Sequence, residues 1–189
     1  MRRITFVTTN AGKVAEVAEG LARHGIEVVQ DARGYPEVQA DSLAEVTESG
    51  ADWLLRAGLP PPFLLEDSGL FVDALGGFPG VYSRYALDTI GTPGLLRLLG
   101  PGGGRSASFR TDLLLVDGAG VRRHFEGTCR GTIAQTPAGT AGFGFDPVFV
   151  PAGHDRTFAE MGRAEKGAVS HRGEAVRRFL AAAIQTAKP

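Results

Sequence analysis

Four short polar segments carry most of the residues whose types and spacing suit chemistry. The first is Thr8-Thr9-Asn10-Ala11-Gly12-Lys13, between an apolar run and an amphipathic one. Backbone N–H groups at a strand–helix junction, with the positive end of the helix behind them, can hold phosphate. Thr8, Thr9 and Asn10 offer hydrogen-bond donors, Lys13 an ammonium, and Gly12 a close backbone approach. The GxxxxGK spacing of a Walker loop is absent, so an ordinary strand–helix turn is the competing reading. Lysine usage adds weight: the chain has three lysines against 17 arginines, and Lys13 and Lys166 both fall in polar, glycine-containing segments.

The second segment is Glu66-Asp67-Ser68-Gly69, directly after an apolar run. Carboxylates at the carboxyl end of a strand sit where open α/β sheets place ligands. Strand alternation sends Glu66 and Asp67 in opposite directions, so they need not share one metal ion. A solvent-facing turn is the plainer alternative. In the third segment, Gly142-Phe143-Gly144-Phe145-Asp146-Pro147, one phenylalanine could stack on a nucleobase and Asp146 could accept a ring N–H. Either phenylalanine fits a core equally well. The fourth pairs Glu165-Lys166 with Ser170-His171-Arg172. Lys166 and Arg172 could neutralise phosphate or recognise a carbonyl, whereas His171 need not be a catalyst. No HxH, HExxH or carboxylate-rich calcium loop points to a tight metal site, and neither Ser68 nor Ser170 lies in a nucleophile elbow.

These segments need elements to position them. Apolar runs predict strands at Ile4–Thr8, Ile26–Val29 and Phe63–Leu65. Helical spacing predicts helices over Lys13–His24 and Leu43–Ala57, the second stopped by Gly58 and Pro60-Pro61-Pro62. Gly76–Gly80 reads as a loop, and Thr92-Pro93 starts a short helix. Ser106–Val116 and Val121–Thr128 read as two long strands joined by an Asp117–Gly120 turn. Phe145–Val150 reads as an edge or entry strand around Pro147. Val176, Phe179, Leu180, Ala183 and Ile184 form the stripe of a terminal helix. The strand–turn–helix–strand beginning indicates an α/β architecture.

Composition sets the outer limits. The chain has 189 residues, 43% hydrophobic and 22% charged, with a formal charge of -1. That suits one domain, and argues against broad duplex binding through a basic face. Cys129 is the only cysteine, which excludes an intrachain disulfide and cysteine-rich zinc sites. The start lacks the apolar stretch of a signal peptide, and no run reaches the roughly 20 apolar residues of a membrane span. A cytoplasmic protein is expected.

Taken together, the segments closely resemble the inosine/xanthosine triphosphate pyrophosphatase family, sometimes called Ham1-like. The resemblance rests on TTNAGK at 8–13, YPEVQA at 35–40, EDSGLFVDALGGFPGVYS at 66–83, GFGFDPVFVP at 142–151, TFAEM at 157–161 and EKGAVSHRG at 165–173. This ordered set covers almost the whole chain and is far more specific than any one motif. It implies hydrolysis of non-standard purine nucleoside triphosphates such as ITP, dITP and XTP to the monophosphate and pyrophosphate, with Mg²⁺. It makes Asp67 the catalytic acidic residue and a magnesium ligand. Glu37 matches the second magnesium carboxylate of an archaeal-looking branch, in which Glu66 also replaces a common aspartate. The bacterial ETGxTFxENA pattern gives way here to Glu45-Val46-Thr47-Glu48-Ser49-Gly50.

By the same resemblance, Thr8, Thr9, Asn10, Ala11, Gly12, Lys13, Ser68 and Lys166 contact the triphosphate and sugar. Phe143, Gly144, Phe145, Asp146, His171 and Arg172 surround the base, with Phe143 against the purine ring. The implied fold is one domain over residues 1–189: an elongated mixed sheet with flanking helices, and two lobes around a central nucleotide cleft, usually as a homodimer. No stable nucleic-acid or membrane partner is expected. Two other readings stay in view: a non-catalytic nucleotide sensor, and a pyrophosphatase acting mainly on another modified nucleotide or a pyrimidine.

Overall fold

The computed structural model describes residues 2–185, and the side chain of Ile184 lies outside what it describes. Strand β1 (Arg2–Val7) leads into helix α1 (Ala11–Ala22) and strand β2 (Ile26–Asp31), the expected β-α-β opening. The helix begins two residues before Lys13 because Asn10 caps it. Asn10 is extended, and its Oδ1 accepts from the N–H groups of Gly12 (2.9 Å) and Lys13 (3.2 Å). Helix α2 (Leu43–Arg56) is capped by Ser42, whose Oγ accepts from the Glu45 N–H. It ends one residue before the predicted limit and leads to strand β3 (Phe63–Val72).

Strands β1, β2 and β3 are parallel in the order β2-β1-β3. Helix α1 packs on one face, together with the terminal helix α6 (His171–Gln185), around Phe6, Val17, Leu21, Leu64 and Phe179. Helix α2 packs on the other face, with Ala51 and Leu54 against Val7, Phe63 and Leu65. The connection from β1 to β2 thus runs over one face and the return from β2 to β3 over the other, with the crevice at the carboxyl ends of β1 and β3.

Beyond β3 the sheet turns antiparallel. The hairpin of β4 (Ser106–Val116) and β5 (Arg122–Ile133) is followed by the edge strand β6 (Phe149–Pro151). Helices α3 (Ser83–Thr89), α4 (Gly91–Leu99) and α5 (Arg163–Val169) complete the order. An aromatic cluster fills this end, with the Phe109 and Phe149 rings edge to face at 4.8 Å and Phe158 beside both.

Several expectations about elements change, and β5 continues to Ile133, past the predicted Thr128. Strand β3 runs to Val72, not Leu65, so Glu66-Asp67-Ser68 lies inside a strand and not at its end. Poor strand formers are kept extended because β4 pairs with every residue from Phe63 to Val72, and tertiary pairing outweighs propensity. The predicted Phe145–Val150 strand is mostly a tight helical turn, Asp146–Val148, with only Phe149–Pro151 paired. Proline at 147 removes an N–H that a ladder would need. Helix α3 escaped the periodicity because it is one short turn pair, and Lys166 sits in its own helix, α5.

The long strands β3 and β4 each cross from one core to another. Leu64, Leu65, Leu113 and Leu114 lie in the parallel-end clusters, while Leu70, Val72, Ala107 and Phe109 lie in the antiparallel-end cluster. Between them runs a buried polar belt of Glu66, Asp67, Thr111 and Asp112. Polar groups at such depth are costly unless paired, so this belt marks the place to look for function.

Candidate active site

A cleft of about 350 Å³ opens where the crevice meets the belt. Its lining includes Thr8, Thr9, Asn10, Lys13, Glu37, Asp67, Ser68, Phe143, Gly144, Phe145, Asp146, Lys166, His171 and Arg172. Thus the structure brings together all four polar segments and the 35–40 segment. Of the residues that the resemblance assigns to substrate or metal, Ala11 and Gly12 are outside that lining, and Glu66, Glu165 and Ser170 of the four polar segments lie outside it as well. Gly12 adjoins it in another way: a Cβ there would stand 2.5 Å from the Phe143 ring. The close approach that glycine permits is therefore to an aromatic ring within the protein.

Strand alternation separates Glu66 from Asp67 as expected. Glu66 shares its face with Thr111, whose hydroxyl donates to its carboxylate. Arg172 Nη2 donates to Glu66 Oε1 (3.1 Å) and to Ser68 Oγ (3.0 Å), and Lys13 Nζ lies 3.1 Å from Glu66 Oε2. Arg172 also donates to Glu16, which in turn receives Lys166 Nζ at 2.8 Å. Lys166 donates further to Asp146 Oδ2 at 2.6 Å. The outcome is a ladder of alternating charge: Asp146, Lys166, Glu16, Arg172, Glu66, Lys13. Most of its members are shut away from water, with Lys166 4% and Arg172 1% exposed.

The ladder fixes protonation states. Burial pushes Glu66 upward, but Arg172 and Lys13 outweigh it and hold the carboxyl far below the usual range. Glu16 is likewise held low against its burial, by Arg172 and Lys166. Burial wins at Asp146, which is raised despite Lys166. Burial, then the positive charge of Arg172, pushes His171 well below its ordinary value, so it is neutral. Its ring stacks on Phe109 at 4.8 Å and 11°.

Asp67 stands on the opposite face. In the antiparallel register it pairs with Asp112, which takes the Thr47 hydroxyl of α2 and lies 3.0 Å from His124 Nδ1. Burial raises the Asp67 pKa to about 7; Lys13 opposes this, while Glu66 and Glu37 add to it. Glu37 is exposed at the cleft edge.

The expected division of labour is altered in detail. Asn10 has a second duty: its carboxamide oxygen takes the first free N–H groups of α1, which leaves only its amide nitrogen as a donor. Phe145 is core, in the antiparallel-end cluster. Phe143 is covered by cations, with Lys166 Nζ 4.8 Å and the Arg172 guanidinium 5.5 Å from its ring centre. Asp146 Oδ2 closes its own loop by accepting from the Phe143 N–H at 2.8 Å. Sequence reading missed Glu16 and Thr111. The only signal for Glu16 was a carboxylate three residues after Lys13 on one helix face, a spacing common on any solvated helix.

Among the described residues no group of three or more His, Cys, Asp or Glu side chains forms a metal cage. That absence does not count against magnesium, which is commonly bound by one or two carboxylates plus substrate phosphates. Asp67 and Glu37 are hard oxygen donors on one cleft. A carboxylate lifted to about 7 by burial and neighbouring carboxylates is what a divalent cation would restore to its ionised form. The donor set fits Mg²⁺.

A mixed α/β sheet with a switch-point crevice, lined by the 8–13 strand–helix turn, paired cations and a buried carboxylate, places a polar ligand cleft where open α/β sheets hold their ligands. The sequence profile of the Ham1 family matches residues 4–182, and the chain belongs to that family. It is 51% identical over 177 residues to a dITP/XTP pyrophosphatase of Thermococcus kodakarensis, covering 94% of this chain and 95% of that one. A dITP/XTP pyrophosphatase of Pyrococcus horikoshii is 47% identical over 179 residues, with the same coverage. Among solved structures, a HAM1 protein from Coxiella burnetii superposes with a TM-score of 0.81 at 29% identity, covering 98% of this chain and all of that one.

Proposed function

We propose that this chain is a magnesium-dependent pyrophosphatase that converts ITP, dITP and XTP to the nucleoside monophosphate and pyrophosphate, removing them from the nucleotide pool. The observation that carries the reading is the contrast inside the cleft. Each cation on its lining already faces a carboxylate: Lys13 faces Glu66, Arg84 faces Asp88, Lys166 faces Asp146 and Glu16, and Arg172 faces Glu16 and Glu66. Asp67 takes part in none of these pairs, and burial lifts its pKa to about 7. A triphosphate entering this balanced site brings charge that the protein has not compensated, and this supports a metal requirement. Mg²⁺ held by Asp67 and Glu37 supplies charge neutralisation and polarisation of the phosphate.

The residues divide the remaining work. Asp67 orients the attacking water and takes its proton as the water oxygen bonds to the α-phosphorus. The bond from that phosphorus to the bridging oxygen breaks, and pyrophosphate leaves with the bonding pair. Lys13 offsets charge developing on the phosphates, beside the Thr8–Gly12 turn. Lys166 and Arg172 brace the Phe143 side. Base choice follows polarity: hypoxanthine and xanthine offer a carbonyl at position 6 and a protonated N1, whereas adenine reverses both. Arg172 and His171 both line the cleft beside Phe143 and Asp146, which supports this end of it as the base side.

Product analysis with ITP and Mg²⁺ tests this reading. Equal amounts of inosine monophosphate and pyrophosphate are expected, and sequential release of orthophosphate overturns the cleavage position. Binding without turnover would favour a nucleotide sensor instead. The homodimer that accompanies this reading draws on the family resemblance and the cytoplasmic location on the apolar pattern of the sequence; sedimentation equilibrium tests the first.

A further inference from the structure

The segment that carries Glu37 has little of its own to hold it. It runs from β2 to α2 as irregular chain, and residues 36 to 39 are exposed. Its ends are tied down, Arg33 to Asp31 and the Asp41 N–H to Glu45. Between those ties one side chain turns inward. The Tyr35 ring packs against the α2-face cluster, on the side of the sheet shared by Leu65 and Asp67. It occupies a notch in α2 that exists because residue 50 is glycine. A Cβ there would stand 2.6 Å from Tyr35 Cδ2 and 3.0 Å from Leu65 Cδ1, distances that force the ring out.

The phenol then reaches the strand. Tyr35 Oη donates to the Glu66 carbonyl at 3.3 Å, and Lys13 Nζ donates to the same oxygen at the same distance. That oxygen is available because β1 stops early: its last pair with β3 is Val7 with Leu65, so Glu66 is the first residue of β3 past the parallel ladder. One carbonyl, adjoining Asp67 in the chain, thus fixes both the phosphate-side lysine and the tyrosine two residues before Glu37.

We infer that Tyr35 is a positioning residue for the metal site: seated in the Gly50 notch and bonded to the Glu66 carbonyl, it holds Glu37 over the face from which Asp67 projects. It touches no substrate and transfers no proton. This rests on the proposed role of Glu37 as a magnesium ligand. The physical gain is preorganisation: an exposed carboxylate on a free loop would lose conformational entropy each time it engaged a cation, and an anchored one loses less.

The test uses Mn²⁺ in place of Mg²⁺, with free ion counted by electron paramagnetic resonance on nucleotide-free protein. Glu37→Gln should weaken Mn²⁺ binding. Tyr35→Phe, which keeps the ring and loses the hydroxyl, should weaken it several-fold, and Gly50→Ala, which expels the ring, on the order of 10-fold. ITP affinity measured in EDTA should change less than about 2-fold in both, which a general loosening of the fold would not allow. In the Glu37→Gln background Tyr35→Phe should have no further effect on Mn²⁺ affinity.

If Glu37→Gln binds Mn²⁺ like the parent, the metal reading itself fails. If Glu37→Gln weakens binding while Tyr35→Phe and Gly50→Ala do not, the metal reading stands and the positioning role of Tyr35 is wrong. A loss from Tyr35→Phe that persists without Glu37 also overturns it, because Tyr35 would then act through something else.

Discussion

Glu66 and Asp67 are adjacent carboxylates in one strand, both buried, and the two faces of the sheet give them opposite properties. The Glu66 face meets α1 and α6, which deliver Lys13 and Arg172; the carboxylate is locked into its ionised form. The Asp67 face meets the 32–42 segment, which delivers Glu37, and α2, which delivers only the Thr47 hydroxyl to Asp112 of β4. Burial is common to both, so burial does not decide the outcome. What decides is whether cations arrive in number on that face. The first environment builds structure; the second stores a carboxylate that a divalent cation or a proton must relieve.

The contrast is easiest to break at Asp67. Asp67→Asn keeps the shape and removes the base, and should lower kcat for ITP by about 1000-fold or more. Near-parent turnover at saturating Mg²⁺ would reject the catalytic assignment. Glu66→Gln should act on folding instead. It leaves Lys13 and the buried Arg172 short of a counter-charge, at a cost of about 3–5 kcal/mol in urea unfolding. A loss below about 1 kcal/mol would mean that Glu16 alone suffices for Arg172.

The pH dependence of stability sharpens the same comparison, because the two signs are opposite. The Glu66 pKa is depressed in the fold, so its contribution is present above its ordinary value of 4.5 and is lost as pH falls through the folded value. The Asp67 pKa is raised from 3.8 to about 7, so its contribution is present below 3.8 and is lost as pH rises through about 7. Metal-free protein should therefore lose stability, on the order of a few kcal/mol, between about pH 4 and pH 8 through Asp67. Asp67→Asn should flatten that slope, leaving the smaller shares of Asp146 and His124, and melt higher than the parent at pH 8; an unchanged slope would remove Asp67 as its source.

The smallest effect belongs to the rim of the Asp67 face. Burial lowers the His124 pKa, but hydrogen bonds to Asp112 and Glu48 outweigh it and raise the value above 6.5. The stabilisation is present below 6.5 and fades as pH rises through the folded value. His124→Gln should cost about 0.2–1 kcal/mol at pH 6 and less at pH 9, measured by thermal melts. An equal loss at both values would indicate packing in place of charge.

Much of this was legible before any coordinates. The Ser106–Val116 strand, the hairpin turn and the β-α-β opening follow from periodicity and turn chemistry, which are local. Glycine and proline located the Gly76–Gly80 loop for the same reason. Many residues around the cleft were also found, because polar types beside apolar runs stand out and the family resemblance added Glu37; Arg84, Asp88 and Phe109 were not. Less legible was everything that depends on what lies across a gap: the extension of β3 through Glu66 and Asp67, and the capture of Asn10 as a helix cap.

The amino-acid sequence alone determined the family, the α/β class and many of the residues that line the cleft, since each is written in residue types at fixed spacings. It also determined that Glu66 and Asp67 point apart, because the period of a strand is two. Only the tertiary structure decided which of the two carboxylates would be neutralised. That choice hangs on Arg172, 106 residues away from Glu66, and on Glu16, 156 residues from Arg172. Electrostatic energy depends on distance in space and on exclusion of water, and neither can be read from separation along the chain.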